Sequence, residues 1–333
     1  MVFLMQKSGV VYSFEHNVRR IFAKEFFLNF LVLVFFIFFA FEGVAEVENN
    51  NFSAQRSHWD LLVTRDQEFA GRASEIGRTQ AFLEFLAPGS VVFREGPTDA
   101  IERYSDDAYA AERELELDWK AHYVDVSRDG DLGLSAGPMI IFSESGQDSF
   151  NHLISIWKNN DAQWELMADI VVPIPGFLSL DVSPSWADTL PLFKETIDPT
   201  LVLNDLTTEE GLRAADETFG RSINFRGGQR ALLRYGLENT RVYLPGMGPA
   251  VGAEAASSVY GAFLDSQLLT TNPISLSYSG GYLSTSREMG FTYGIMTEDT
   301  EIVAERFRAS YMRLWRFNSD NEWRIAVEVL SPF

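Results

Sequence analysis

Acidic residues that could hold or move a proton recur at corresponding places in the two halves of the chain. Asp66 and Asp216 each lie within a segment that has the apolar spacing of a helix. Asp169 and Glu328 each lie near the end of a strand-like segment. Because aspartate is a mediocre helix former, Asp66 and Asp216 are expected to have specific partners. We favour a bond that ties each helix to a neighbouring strand, and a pocket-facing role is the alternative for all four acids.

The string Gly133-Leu134-Ser135-Ala136-Gly137 matches the G-x-S-x-G nucleophile elbow. That motif requires a strand, a sharp turn and then a helix, so that the serine is exposed at the start of the helix. Here Pro138 and an apolar, strand-like run follow instead. The two glycines are better explained as strand positions that another segment approaches closely. We therefore predict that Ser135 is not a nucleophile.

Aromatic residues supply candidates for the wall of a pocket. Tyr104, Tyr123, Tyr243 and Tyr293 each combine an apolar ring with a polar hydroxyl, which suits a wall that also orients a ligand. Trp119 is predicted first as a core or sheet-face residue, with contact to a ligand as the alternative.

Composition and charge exclude several classes of function. The chain has 333 residues, a formal net charge of −20 and no Cys, which excludes thiol catalysis, thiolate metal sites and a disulfide framework. Such a negative charge argues against nucleic acid as a partner. His58, His122 and His152 do not have the spacing of metal ligands, and Asp129-Gly130-Asp131 lacks the further oxygen ligands of a calcium loop. We predict no metal and no cofactor.

The body of the chain is a duplication. The segment 62–96 aligns without a gap with 212–246, and Gly133–Met139 then aligns with Gly290–Met296. The shared residues include the following: Leu62 with Leu212, Asp66 with Asp216, Phe69 with Phe219, Gly77 with Gly227, Trp157 with Trp315, and Trp164 with Trp323. We therefore predict two copies, residues 56–176 and 208–333, which are joined by a Pro-punctuated linker, residues 177–207.

Each copy is predicted to be α+β, with helices first and a meander of long, mostly antiparallel strands after them. In the first copy a helix ends at Gly77, and a short helix then ends at Pro88-Gly89. A strand at Ser90–Gly96 and a helix from Asp99 to Arg113 follow. The later strands are apolar on both faces, so each sheet needs a cover on both sides. We expect the two sheets to pack together as a pseudo-dimer within a monomeric chain.

Residues 1–45 are predicted to be a targeting segment rather than part of the fold. Arg19, Arg20 and Lys24 precede an apolar run from Phe26 to Phe41, and small residues at Gly43 and Ala45 follow. This is the pattern of an export signal that is cleaved after Ala45. An uncleaved membrane anchor and a buried helix are the alternatives, although the run is shorter than the ~20 residues that a spanning helix needs. Export signal and anchor both place the rest of the chain outside the cytoplasm, in the periplasm or secreted.

The order of elements resembles the nuclear-transport-factor-2-like superfamily, whose members are also called SnoaL-like or cystatin-like α+β cones. The residues that carry the resemblance are the following: Asp66-x-x-Phe69, Gly77, Ala81-Phe82, Asp129–Gly133, Trp157, Trp164, Asp216-x-x-Phe219, Met289-Gly290, Trp315 and Trp323. The resemblance implies a curved sheet that encloses a mostly apolar pocket together with the helices. It leaves function open, because the superfamily contains isomerases, cyclases, dehydratases, epoxide hydrolases and non-catalytic modules.

The resemblance also points to Glu95, because a general-base carboxylate of ketosteroid-isomerase-like members lies near the corresponding place. A carboxylate in an apolar pocket can have its pKa raised toward neutrality and can then transfer a proton. Pro245 occupies the corresponding position in the second copy, so this role is expected in the first copy alone.

The sequence thus favours an exported tandem protein that binds a small, partly apolar molecule or a protein partner without catalysis, through one pocket in each copy. The membrane is contacted only through the N-terminal segment. The alternative is an isomerase, cyclase or dehydratase, in which Glu95 transfers the proton, Tyr104 or Tyr123 donates a hydrogen bond and the second copy is a structural cover. A third interpretation is an interaction protein whose cones are filled by side chains.

Overall fold

A computed structural model of the chain describes residues 53–106, 116–143, 146–160, 163–188, 205–268, 272–301 and 306–333. Residues Ala54–Phe333 belong to a single folded unit. The predicted export segment lies outside the described residues, as do residues 189–204 of the linker. Within the described ranges, no helix has the length and the hydropathy to cross a membrane.

The first copy begins with helices and ends with long strands. Its elements are α1 (53–76), α2 (Arg78–Phe85), β1 (Leu86–Phe93), β2 (Pro97–Asp99), α3 (Ala100–Ser105), β3 (Leu117–Trp119), β4 (Tyr123–Val126), β5 (Leu132–Ile141), β6 (Ser149–Asn160) and β7 (Gln163–Ile174). The strand order in the sheet is β2-β1-β7-β6-β5-β3, and β4 also pairs with β5. Strand β1 runs parallel to β7, and the other neighbours are antiparallel.

The second copy repeats this arrangement. Its elements are α4 (Glu209–Arg226), α5 (Gly228–Tyr235), β8 (Gly236–Tyr243), β9 (Ala250–Val251), α6 (Ala253–Gln267), β10 (Ile274–Leu283), β11 (Met289–Glu298), β12 (Arg308–Phe317) and β13 (Trp323–Pro332). The strand order β9-β8-β13-β12-β11-β10 matches that of the first sheet, and β8 is again parallel to β13. The predicted α+β class and the tandem duplication are therefore confirmed. We call the helices and inner sheet face of each copy the first cone and the second cone.

The boundaries around β1 differ from the prediction. Helix α2 ends at Phe85 and β1 starts directly after it, so Pro88-Gly89 lies inside the strand. The pairing of β1 with β7 shifts register between Leu86 and Val91, and Gly89 has φ 74°. A bulge of this kind tolerates a proline and a left-handed glycine, which explains why two turn residues do not end the strand. Part of the helix predicted for Asp99–Arg113 is observed as α3, and residues 107–115 lie outside the described residues.

One apolar stripe of the first long helix packs on the inner side of each cone. Helix α1 buries Leu62 and Phe69 in the first core cluster. Helix α4 buries Leu212 and Phe219 at the matching places in the second. Gly77 ends the first of these helices with φ 85°, which a residue with a side chain rarely adopts.

The outer faces of the two sheets pack against each other. Their shared apolar cluster is composed of Phe93, Tyr123, Leu132, Leu134, Ala136, Ile154, Ile156, Ala168, Ile170, Val172, Tyr243, Met289, Phe291, Met312, Leu314, Ala326, Val327 and Val329. On β5, Leu134 and Ala136 belong to this interface, whereas the hydroxyl of Ser135, between them, bonds to the helix side of the sheet. This alternation is the period of a strand, and it confirms the predicted pseudo-dimer.

Arg316 joins the two copies through buried charge. Its side chain is 1% exposed; its Nε donates to Asp125 Oδ2 at 3.2 Å and its Nη2 donates to the carbonyl of Val126 at 2.8 Å. It also pairs with Glu288, whose Oε1 accepts the backbone N–H of Arg128 at 2.8 Å. A buried arginine between two carboxylates fixes the relative position of the sheets. Moving it away from either carboxylate would leave a buried charge without a partner.

The repeated glycines lie where another segment leaves no room for a side chain. A Cβ at Gly137 would lie 1.9 Å from the carbonyl oxygen of Lys120, and one at Gly294 would lie 2.1 Å from that of Ser277. A Cβ at Gly133 would lie 2.5 Å from Leu62 Cδ2 in α1. The close-approach interpretation of the G-x-S-x-G string is therefore confirmed.

Replacing Gly137 by Ala is expected to lower the free energy of unfolding by roughly 1–3 kcal/mol or more, because the backbone of residue 120 must move. Gly71 is the matched control, because a Cβ there meets no atom within 4 Å and the residue lies in α1. Gly71→Ala is expected to raise stability by up to about 1 kcal/mol. Urea unfolding followed by tryptophan fluorescence measures both variants, and equal effects would contradict the close approach.

Candidate functional site

The same hydrogen-bond chain links helix and sheet in both cones. In the first cone, Trp157 Nε1 donates to Ser135 Oγ at 2.8 Å, and Ser135 Oγ donates to Asp66 Oδ1 at 2.7 Å. The second cone repeats this chain from Trp315 through Thr292 to Asp216, with both distances 2.8 Å. Asp66 and Asp216 therefore tie their helices to a strand, which was the favoured interpretation. Ser135 is occupied in this tie.

In the second cone, an arginine neutralises the buried acids. Arg313 Nη1 donates to Asp216 Oδ1 at 2.7 Å, and Nε and Nη2 donate to the two oxygens of Glu328 at 2.6 and 3.1 Å. The remaining oxygen of Asp216 accepts the hydroxyl of Tyr311 at 2.7 Å. All three side chains of this ion cluster are at most 1% exposed. The buried acids of the second cone are thus neutralised within the chain.

The first cone has the same two acids without that arginine. Arg313 lies opposite Glu328 in the β12–β13 pairing, and Ser155 lies opposite Asp169 in the corresponding β6–β7 pairing. Asp169 is 1% exposed, and within the part of the chain that the structure describes neither of its oxygens has a hydrogen-bond partner. The same holds, among the described residues, for Asp66 Oδ2. A serine therefore stands where the second cone has its cation.

The titration of these acids reflects their environment. Burial raises the pKa of Asp169 to about 6 from 3.8, against smaller opposing effects of the positive charges on Arg94 and Arg78. Burial also raises the pKa of Asp66 to about 6, although the hydrogen bond from Ser135 opposes it. Two buried carboxyl groups that titrate near neutrality are typical of functional sites.

Aromatic residues surround the two acids. Tyr104 is buried, and burial followed by the charge of Asp169 raises its pKa to about 12, so the hydroxyl keeps its proton. Its oxygen lies 3.4 Å from Arg78 Nη2. Trp119 packs edge-on against Phe69, with ring centroids 4.8 Å apart, and its indole N–H has no hydrogen-bond acceptor among the residues that the structure covers. Tyr104 and Trp119 thus remain candidates for the wall of a pocket.

Three of the predicted wall residues lie elsewhere. Tyr123 and Tyr243 are buried in the cluster between the two sheets, and Tyr293 packs against that cluster. The guanidinium of Arg241 lies 4.1 Å above the ring of Tyr123. They were expected inside the cones, and the structure corrects this placement. The physical reason is the period of a strand, because a difference of one residue moves a side chain to the opposite face of the sheet.

Glu95 is also placed differently from the expectation. It is exposed in the turn between β1 and β2, with φ 30°, and it lines a surface cleft of ≈ 510 Å³ together with Arg94, Glu102 and Arg103. A carboxylate in contact with solvent lacks the apolar surroundings that proton transfer by a shifted carboxyl group requires. The structure therefore corrects the predicted position of Glu95 inside the cone.

His152 is buried between the sheets, with its ring edge-on to Tyr243 at 5.4 Å. Burial lowers its pKa to about 4 from 6.5. The unfolded chain therefore binds more protons between these values, and the contribution of His152 to stability is lost as pH falls from 6.5 to 4.

Replacing His152 by Leu is expected to remove this loss. Relative to the wild type, the variant should gain roughly 1–3 kcal/mol in free energy of unfolding at pH 4 compared with pH 7.5. Denaturant unfolding at the two pH values tests this, with His58→Leu, a change of another histidine that lies outside this interface, as the control. A wild type and variant that lose stability in parallel would contradict it.

No group of three or more His, Asp or Glu side chains in the described ranges is arranged to hold a metal ion. The residues near Asp66 and Asp169 include Ser135, Trp119 and two arginines, Arg78 and Arg94.

Known proteins resemble single copies of this chain. A ketosteroid-isomerase-like protein from Erwinia carotovora atroseptica is 18% identical over 39% of this chain and 98% of its own length, with a TM-score of 0.30. A nuclear-transport-factor-2-like protein of unknown function from Pseudomonas putida is 10% identical over 37% of this chain and 84% of its own, with a TM-score of 0.31. No protein-family profile and no curated protein sequence matches the chain. The fold assignment therefore rests on the elements and strand order described above.

The contrast between Ser155 and Arg313 was missed by the sequence analysis. The alignment of Trp157 with Trp315 also aligns Ser155 with Arg313, so the sequence contained this difference. The difference becomes informative only with the strand pairing, which places Ser155 opposite Asp169 and Arg313 opposite Glu328.

Proposed function

We propose that the chain binds a small, partly apolar molecule inside the first cone and that the second cone has a structural role. The observation that carries this proposal is Asp169, a buried carboxylate without a hydrogen-bond partner among the described residues, at the place where the second cone has the Arg313 ion pair. An unpaired buried carboxylate is costly, and a ligand that donates to it would recover that cost.

The surroundings of Asp169 suit a ligand with an apolar body. Tyr104, Trp119 and Phe82 are buried aromatic residues of the same core cluster. Small-molecule sites combine such apolar walls with a few polar groups that orient the ligand. Asp66 Oδ2, the indole N–H of Trp119 and the hydroxyl of Tyr104 supply the additional polar positions.

The test is native mass spectrometry of the full-length protein purified gently from its own host. We expect a reproducible extra mass of a small molecule that disappears when the protein is denatured. The variant Ser155→Arg, which introduces the side chain of the second cone, should lack this mass. Ser279→Arg adds the same charge at an exposed position of β10 and should keep it. A wild-type native mass equal to the denatured mass would contradict bound ligand and favour a filled cone.

A second candidate function is acid–base catalysis in the same cone, favoured by the pKa of Asp169 near 6 and by the neighbouring Tyr104 hydroxyl. In that case Asp169, rather than Glu95, accepts the proton and Tyr104 donates a hydrogen bond to the developing oxyanion. The candidates differ in outcome, because an enzyme returns a changed molecule. Incubation of the released ligand with wild type and with Asp169→Asn, followed by mass and NMR analysis, distinguishes them.

Export completes the proposal and is supported by the basic and apolar pattern of residues 1–45. N-terminal sequencing of the protein recovered from its host tests it. A chain that starts at Glu46 would establish cleavage after Ala45, whereas a chain that retains the apolar run and sediments with membranes would establish an anchor.

A further inference from the structure

We propose that the ligand of the first cone is a small organic cation, whose guanidinium, amidinium or ammonium group occupies the place that the Arg313 guanidinium takes in the second cone. This inference deepens the proposed function and rests on it. It identifies the chemical class of the ligand from a comparison of the two copies within one chain.

The oxygens without partners in the first cone correspond to the oxygens that the second cone satisfies. In the second cone, both Glu328 oxygens accept from Arg313, and Asp216 accepts from Arg313 and from Tyr311. In the first cone, both Asp169 oxygens and Asp66 Oδ2 lack a donor among the residues described. The remaining Asp66 oxygen is bound by Ser135, just as Asp216 is bound by Thr292. The hydrogen bond from Ser135 or Thr292 to the helix aspartate is thus present in both cones. The arginine and the tyrosine that donate in the second cone have no counterpart donors to these oxygens among the described residues of the first.

The positive charges already near Asp169 do not replace that donor. Arg78 and Arg94 lower the pKa of Asp169, but burial raises it more, so the environment still disfavours the charged form. Neither arginine donates a hydrogen bond to Asp169. A ligand cation with several N–H groups would provide both the charge and the bonds, because charge-assisted hydrogen bonds are the stronger kind.

One of the two aromatic residues that contact the Arg313 guanidinium has an aromatic counterpart in the first cone. The guanidinium of Arg313 lies 4.8 Å above the ring of Phe219 and 4.0 Å above that of Tyr311. The counterpart of Phe219 is Phe69, which is fully buried in the first cone and contacts Trp119. A cation over such a ring is attracted by its π face. The first cone thus keeps one aromatic partner of the arginine while lacking the arginine itself.

The probe is n-propylguanidinium, which reproduces an arginine side chain, and the control compound is n-propylurea, its uncharged planar analogue. Both are titrated into the purified full-length protein and followed by ligand-observed NMR and thermal unfolding. We expect propylguanidinium to bind and to raise the unfolding temperature. Its dissociation constant should be at least about tenfold lower than that of propylurea, since only the cation forms charge-assisted bonds.

Two variants place the binding in the first cone. Asp169→Asn should weaken propylguanidinium binding at least about tenfold, because the carboxylate is lost. Ser155→Arg should abolish it, whereas Ser279→Arg should leave it unchanged. Arg313→Ser recreates the first-cone arrangement in the second cone and should add a second binding event for the same probe. Binding that ignores both Asp169→Asn and Ser155→Arg would overturn the assignment.

The outcomes separate this inference from the proposed function. If propylurea binds as tightly as propylguanidinium, the cation class is wrong. If neither compound binds but the native mass shows a ligand that Ser155→Arg removes, the proposed function stands and the cation class falls. If neither compound binds and the native mass is that of the bare chain, both are overturned.

Discussion

At pH 8, replacing Asp169 by Asn is expected to raise the free energy of unfolding by about 3 kcal/mol. The pKa of Asp169 is about 6 in the folded protein and 3.8 when unperturbed, so the folded state binds the extra proton between these values. The favourable contribution is present below the unfolded value and is lost as pH rises through 6. Above pH 6 the wild type buries a charge, at a cost of about 1.4 kcal/mol per pKa unit, and Asn does not.

The gain from Asp169→Asn should therefore depend on pH. It should be largest above pH 7 and should vanish near pH 4, where the wild-type carboxyl group is already neutral. Chemical denaturation across this range measures it, and the exposed Asp320→Asn serves as the control. A variant that is less stable than the wild type at pH 8 would mean that Asp169 has a partner within the chain. A variant that gains stability while losing the ligand would show that function is maintained at the expense of folding energy.

Replacing Arg313 by Met is expected to have the opposite sign and to destabilise the protein by about 3–5 kcal/mol at neutral pH. The change leaves Asp216 and Glu328 without their positive partner, since both are buried and pair with this one guanidinium. Because protonation would neutralise the stranded acids, we expect a smaller loss at pH 5 than at pH 8.

Two further variants sharpen the Arg313 experiment. The triple change of Arg313 to Met, Asp216 to Asn and Glu328 to Gln removes all three charges together and should recover most of the lost stability. Arg221→Met removes an exposed arginine of α4, whose ion pair with Glu217 spans 3.8 Å, and should change stability by less than about 1 kcal/mol. If the triple variant is as unstable as Arg313→Met, the loss of stability comes from altered packing and not from unpaired buried carboxylates.

Much of the fold could be predicted from the sequence because the same pattern of residues occurs in both copies. Gly77 and Gly227 end equivalent helices with positive φ, and the paired glycines of β5 and β11 mark equivalent close approaches. Strands that are apolar on both faces indicated the packing of the two sheets. These features depend on local spacing and on burial, which residue types record directly.

The site was predicted less well, because it depends on the direction of single side chains. Asp66 and Asp169 were selected from their recurrence, but Tyr123 and Tyr243 were assigned to the wrong face of a strand. The position of Glu95 depends on a turn with φ 30°, which its sequence neighbours do not reveal. The decisive contact, Arg313 with Glu328, joins two strands across a pairing register, and a pattern within either strand does not contain it.

Joining two cones in one polypeptide has a consequence for how they can diverge. In a symmetric homodimer the same gene encodes both subunits, so an arginine buried in one cone would be buried in the other as well. Here the two sheets meet as they would in such a dimer, yet Arg313 stands in one copy and Ser155 in the other. Covalent tandem linkage therefore permits the two copies to differ: the second neutralises its buried acids with its own arginine, and the first has the corresponding acids without that arginine. It also keeps the interface at any dilution, since the partner can never diffuse away.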